Sequence, residues 1–181
     1  MNYKFWLTKK RPRPKLARRP VVKAAKQLHE SIFTEFSNRD DRTLKSLCTS
    51  GLLTTFRKQL ASLPKDEMMS WRLLKHLSRP RIVSNRATPL PLPGDSEAAL
   101  RQVVVRLHTR QLVEKWETQK KAQVNSVEKD VVEYVVLQRI MRRGKEEDWK
   151  VWGFANETTY QELKEEQKRI EQMSEWEARH G

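Results

Sequence analysis

Apolar residues early in the chain recur at helical spacing. Val21, Ala25, Leu28, Ile32 and Phe36 step by three or four, which puts them in one stripe and predicts a helix over residues 21–36 with a face to bury. The polar stretch Ser37-Asn38-Arg39-Asp40-Asp41 interrupts that pattern and supplies N-cap residues for a second helix. Its stripe is Leu44, Leu47, Cys48, Leu52, Phe56 and Leu60. A third, shorter helix is expected from about Asp66, using Met69, Leu73, Leu74 and Leu77 and ending before Pro80.

The period then becomes two. Val103, Val105 and Leu107 alternate with Val104, Arg106 and His108 within residues 103–113, as in a strand with one buried face. Residues 131–140 form a second β-branched run, and Trp149-Lys150-Val151-Trp152-Gly153-Phe154 a third. The polar, Gly-containing stretch between them predicts a hairpin. A short strand at Ile82 and Val83 precedes a loop from Thr88 to Gly94, whose spaced prolines argue against regular structure. Beyond Asn156, Thr158 and Gln161 stand in capping-box register before a narrow apolar line of Tyr160, Leu163, Ile170 and Met173. Helices followed by strands that pair in sequence give an α+β fold, with helices on one face of an antiparallel sheet. Three parts are expected: a basic extended arm over 1–20, the α+β domain over 21–156, and a charged C-terminal helix over 157–181.

Charge sharpens this division. The chain has 37 Lys and Arg against 23 Asp and Glu, a formal +14 over 181 residues, and such a field favours a polyanionic partner. Ten of the cations precede the first acid, Glu30, leaving 27 basic against 23 acidic residues beyond them. Arg11-Pro12-Arg13-Pro14-Lys15 adds prolines that oppose a helix there. The prolines also speak against an amphipathic presequence, so the stretch is read as part of the working protein. One domain-sized core is expected from this length. The lone Cys48 cannot form a disulfide within the chain, and no apolar run approaches the roughly 20 residues that span a bilayer, so membrane contact is expected to be peripheral.

The stretch Asp41-Arg42-Thr43-Leu44-Lys45-Ser46-Leu47-Cys48-Thr49-Ser50-Gly51-Leu52, the Val-rich strand pair, and Asp148-Trp149-Lys150-Val151-Trp152-Gly153-Phe154 together resemble one domain family. It is shared by the mitochondrial import-motor scaffold subunit forty-four and large-subunit ribosomal protein forty-five, and includes a fungal membrane-associated ribosome receptor. The resemblance covers roughly residues 21–154. It implies a cone-shaped fold similar to nuclear transport factor two, with a curved sheet, and a place in the mitochondrial matrix at the polypeptide exit of the large ribosomal subunit. Its implied partners are large-subunit rRNA, neighbouring ribosomal proteins and the inner membrane, reached directly or through an insertase.

Each candidate residue has a plainer reading beside it. Lys4, Trp6, Lys9, Lys10, Arg11, Arg13, Lys15, Arg18, Arg19 and Lys23 suit RNA, where phosphates meet cations and bases stack on aromatics; the plainer reading is a solubilising tail or import signal. Arg106, His108 and Arg110 form a row that faces RNA, membrane or only solvent. One of Trp149 and Trp152 is expected in the core against Leu44, Leu47 and Phe56. Cys48 reads as packing. His29, His76, His108 and His180 show no ligand spacing, and five glycines offer little for a phosphate loop, so neither metal, cofactor nor small-molecule substrate is expected. An isomerase-type site would need a buried carboxylate near a donor such as Tyr134, for which Glu133 and Glu114 are the candidates. The expectation is a non-enzymatic ribosomal component that helps tether the ribosome for insertion. The alternative is a peripheral adaptor of the import motor.

Overall fold

The first stripe becomes helix α1 (Arg18–Asn38) in a computed structural model that describes residues 18–64, 67–90, 98–117, 122–142 and 145–156. Val21, Ala25, His29 and Ile32 are its buried positions. Pro20 lies in the first turn, where the missing N–H had no intrahelical acceptor to lose. The extended stretch expected up to residue 20 is therefore helical from Arg18 on. Residues 1–17 and 157–181, which carry the rest of the arm and the expected C-terminal helix, lie outside the described residues.

The second stripe forms two helices, α2 (Asp41–Leu47) and α3 (Ser50–Ser62). Asp40 caps α2, accepting from the backbone N–H groups of Arg42 and Thr43. The Thr43 hydroxyl and backbone N–H are the main causes that hold its carboxyl below the usual 3.8. The break comes at Cys48, whose backbone is extended and bridges Val151 in parallel. Thr49 then donates its N–H to the Val151 carbonyl at 3.0 Å. Pairing with the last strand thus takes the place of helix continuation.

The third expected helix is instead strand β1 (Glu67–His76). Met69, Leu73 and Leu77 had helical spacing, but Trp71 is the residue that strand alternation buries. It sits opposite Val113 in the antiparallel ladder to β3 (Ala99–Glu117). The short strand at Ile82 is longer than expected, running as β2 (Arg81–Pro89) through part of the expected loop. Thr88 and Pro89 pair with Leu100 and Ala99, and proline is tolerated there at the end of an edge strand.

β3 and β4 (Ala122–Arg142) form a long antiparallel ladder. β1 and β2 share the other edge of β3, while β5 (Lys145–Glu146) and β6 (Lys150–Ala155) pair with β4. The three helices pack on this six-stranded antiparallel sheet, which does not close. Val103, Val105, Leu107, Val135, Leu137 and Val151 form the sheet side of the core, with Ile32, Leu44 and Phe56 from the helices. In β6 the fully buried residue is Val151. Trp149 is partly buried against the core and Trp152 is 51% exposed, so neither tryptophan occupies the deep position expected for one of them.

Candidate functional site

Alternation in β3 places Arg106, His108 and Arg110 on the face opposite Val103, Val105 and Leu107. The three differ. Arg110 is held by Asp130 through two hydrogen bonds of 2.6 and 2.8 Å, with Glu128 at 3.4 Å. The hydrogen-bonded guanidinium lowers the pKa of Asp130, and that carboxylate raises the pKa of Arg110. Arg110 is thus largely neutralised within the sheet. Arg106 stands in register with Arg81 on β2 and with Tyr134 on β4. No carboxylate pairs with Arg81 or Arg106 among the described residues. Two like charges directly opposite on neighbouring strands are unfavourable unless an anion joins them. Val132, half-exposed, lies opposite His108 on the same face. Arg18, Arg19 and Lys23 lie exposed on α1. Lys4, Trp6, Lys9, Lys10, Arg11, Arg13 and Lys15 lie outside the described residues.

On the opposite face, beneath α1, lies a polar chain that sequence reading did not assemble. His29, 1% exposed, meets Glu133 at 2.7 Å from Nε2 to Oε2. Gln111 Nε2 donates to that same oxygen at 2.7 Å and also to the Thr109 hydroxyl, while Trp71 donates its indole N–H to Gln111 Oε1. The His29 ring packs edge-on against Phe33 and Trp71. Glu133, one of the two candidate carboxylates, therefore does turn inward, but its Oε2 already receives two donors. That arrangement suits orientation of α1 on the sheet better than proton transfer. Glu114, the other candidate, pairs with Arg72 at 3.0 Å. Thr109 and Gln111 continue the inward face of Val103, Val105 and Leu107, but the expected alternation was not extended to them, and nothing in it joined them to His29.

A second cluster lies toward the other end of the same face. The guanidiniums of Arg101 and Arg139 sit 5.6 and 4.3 Å from the Trp149 ring centroid, and both reach Glu146. Burial, opposed by Glu146, lowers the Arg139 pKa. Trp149 is thus a platform for buried cations. Cys48 is buried and its thiol is pushed up to about 11 by that burial, far from the range of a nucleophile. No group of three His, Cys, Asp or Glu side chains able to hold a metal occurs among the described residues. No described helix is long and apolar enough to cross a membrane.

Comparison with known proteins adds three findings. The family model described as MBA1-like protein matches residues 7–177. An uncharacterized protein of Schizosaccharomyces pombe is 29% identical over 133 residues, covering 74% of this chain; the chain matches 45% of that relative's length. Among solved structures, the intermembrane space region of chloroplast protein ARC6 superposes with a TM-score of 0.44 at 12% identity, over 75% of this chain and 93% of that one. A likeness this loose has no bearing on function.

Proposed function

Since the chain belongs to the MBA1-like protein family, which is mitochondrial, membrane-associated and of the ribosome-receptor type, we propose that it is an adaptor that holds the mitochondrial ribosome at the inner membrane, with no chemistry of its own. The observation that carries this reading is the family match over residues 7–177. The outer sheet face supports it. Arg81 and Arg106 lie opposite each other without a carboxylate among the described residues, and phosphates bridging them would turn a repulsive pair into a binding element. The basic residues before Glu30 add a second cationic region. Large-subunit rRNA near the polypeptide exit is the proposed polyanion, with neighbouring large-subunit proteins completing the contact. Membrane contact is peripheral, made directly or through an insertase. The occupied Oε2 of Glu133 and the raised thiol of Cys48 agree with a non-enzymatic role.

Sedimentation of the tagged protein after detergent lysis tests this proposal. Co-migration with large ribosomal subunits, weakened by high salt, is the expected result. Migration with protein-translocase complexes instead would establish the import-motor alternative and overturn the ribosomal reading.

A further inference from the structure

The long strand β4 is only partly covered on its second edge. β6 pairs with it from Gln138 to Tyr134 and then ends at Ala155. Among the described residues no strand pairs with the stretch from Ala122 to Glu133 on that edge, although β3 pairs with it on the other. Unpaired edges of this length are sites where further chain is added or must be covered. The adjoining inner face holds a groove of ≈ 240 Å³, lined by Val113, Val127 and Val131 between Lys115 and Lys129, with Gln111 at its inner end. Lys115 is joined to Glu67 at 3.1 Å, whereas Lys129 has no carboxylate partner among the described residues.

The direction of β6 points to what covers this groove. Because β6 runs antiparallel to β4 and Ala155 stands opposite Tyr134, the chain leaves it heading along β4 toward Val131 and Val127. The sequence that follows has an apolar line of Tyr160, Leu163, Ile170 and Met173 amid seven glutamates, including Glu162, Glu165 and Glu166. Along a strand Val131 lies ~10 Å and Val127 ~24 Å from the Tyr134 position. Were the segment helical, Tyr160 and Leu163 would reach ~8–12 Å beyond Ala155, and Ile170 and Met173 ~22–27 Å. Apolar spacing, reach and charge all match the groove.

We infer that residues 157–181 dock back on this chain, laying Tyr160, Leu163, Ile170 and Met173 over Val131, Val127 and Val113 while their glutamates face Lys129 and Lys115. The inference does not depend on the proposed ribosomal role. A zero-length carbodiimide, which condenses a carboxylate with an amine to an amide, tests it on the purified full chain. The Lys115–Glu67 pair serves as internal control. The expected result, in the monomer fraction, is linkage of Lys129 or Lys115 to glutamates of 157–181, at least fivefold above linkage of those glutamates to Lys150. Lys150 is nearer in sequence and scores mere tethering. Leu163→Asp with Ile170→Asp should abolish the preference while the Lys115–Glu67 link persists. Links confined to covalent dimers would assign the groove to a second copy. Control links without any preference for Lys129 or Lys115 would equally overturn the inference.

Discussion

Replacing Glu133 by valine removes the acceptor that His29 and Gln111 share. Both donors lie 2.7 Å from its Oε2, and His29, 1% exposed, has no access to replacement water. A shift of the imidazole proton to Nδ1 gives no relief, because that atom is also buried without a partner. Each buried donor left unmet costs about 1–3 kcal/mol, so Glu133→Val should destabilise the fold by about 2–5 kcal/mol, a large share of a domain's 5–15 kcal/mol. His29→Leu should cost less, because the Glu133 side chain is 17% exposed and the carboxylate keeps Gln111. The double variant removes donor and acceptor together and should fall short of the summed single costs by about 1–2 kcal/mol. Urea denaturation followed by tryptophan fluorescence measures all four proteins. Single costs that add to within about 0.5 kcal/mol, or a Glu133→Val midpoint equal to the parent's, would refute the network as described.

Trp149→Ala removes the surface on which Arg101 and Arg139 stack and should cost about 2–4 kcal/mol in a denaturant titration, given its partial burial; Trp152→Ala, at a 51% exposed site, should stay within about 0.5 kcal/mol. The thiol of Cys48, pushed up to about 11, should resist an aromatic disulfide reagent at neutral pH in the folded protein and react fully once the chain is unfolded. Burial, aided by Lys26, holds His76 below its ordinary 6.5. The fold therefore favours the neutral ring, and stability complete above about pH 6.5 should be lost as pH falls through the lower folded value, a slope that His76→Leu flattens in melts across pH. Arg81→Gln with Arg106→Gln should leave the melting temperature unchanged or raised, because the like-charge pair is removed. The same pair should reduce the salt slope of RNA binding in filter assays by about 1.5–2; an unchanged slope would remove this face from the RNA contact.

The parts of the fold legible in the sequence are those set by local periodicity. The α1 stripe and the alternation of β3 each follow from which side of one element is buried, and Asp40 announces its cap by residue type and position. β1 was illegible because Met69, Leu73 and Leu77 fit a helix, while the ladder to β3 and the burial of Trp71 decide for a strand. The break at Cys48 escaped for the same reason, since Val151 supplies it from the far end of the chain. Arg106 and His108 were found by alternation, and Arg110 with them, yet only cross-strand register shows Arg110 spent on Asp130 and Arg106 facing Arg81. His29 and Glu133 meet through packing, and no spacing rule links residues so far apart.

The bridge between Cys48 and Val151, with the Thr49 N–H on the Val151 carbonyl, also fixes an order of events during synthesis. α2 and α3 are translated before the sheet, but the strand that holds their junction is made only after β4. The β3–β4 hairpin can zip from neighbouring residues, whereas the junction at Cys48 lacks its Val151 partner until β6 emerges. A nascent chain paused before Val151 would therefore leave the apolar junction at Cys48 open, and chaperone occupancy on stalled ribosomes should fall sharply once β6 itself has emerged from the exit tunnel.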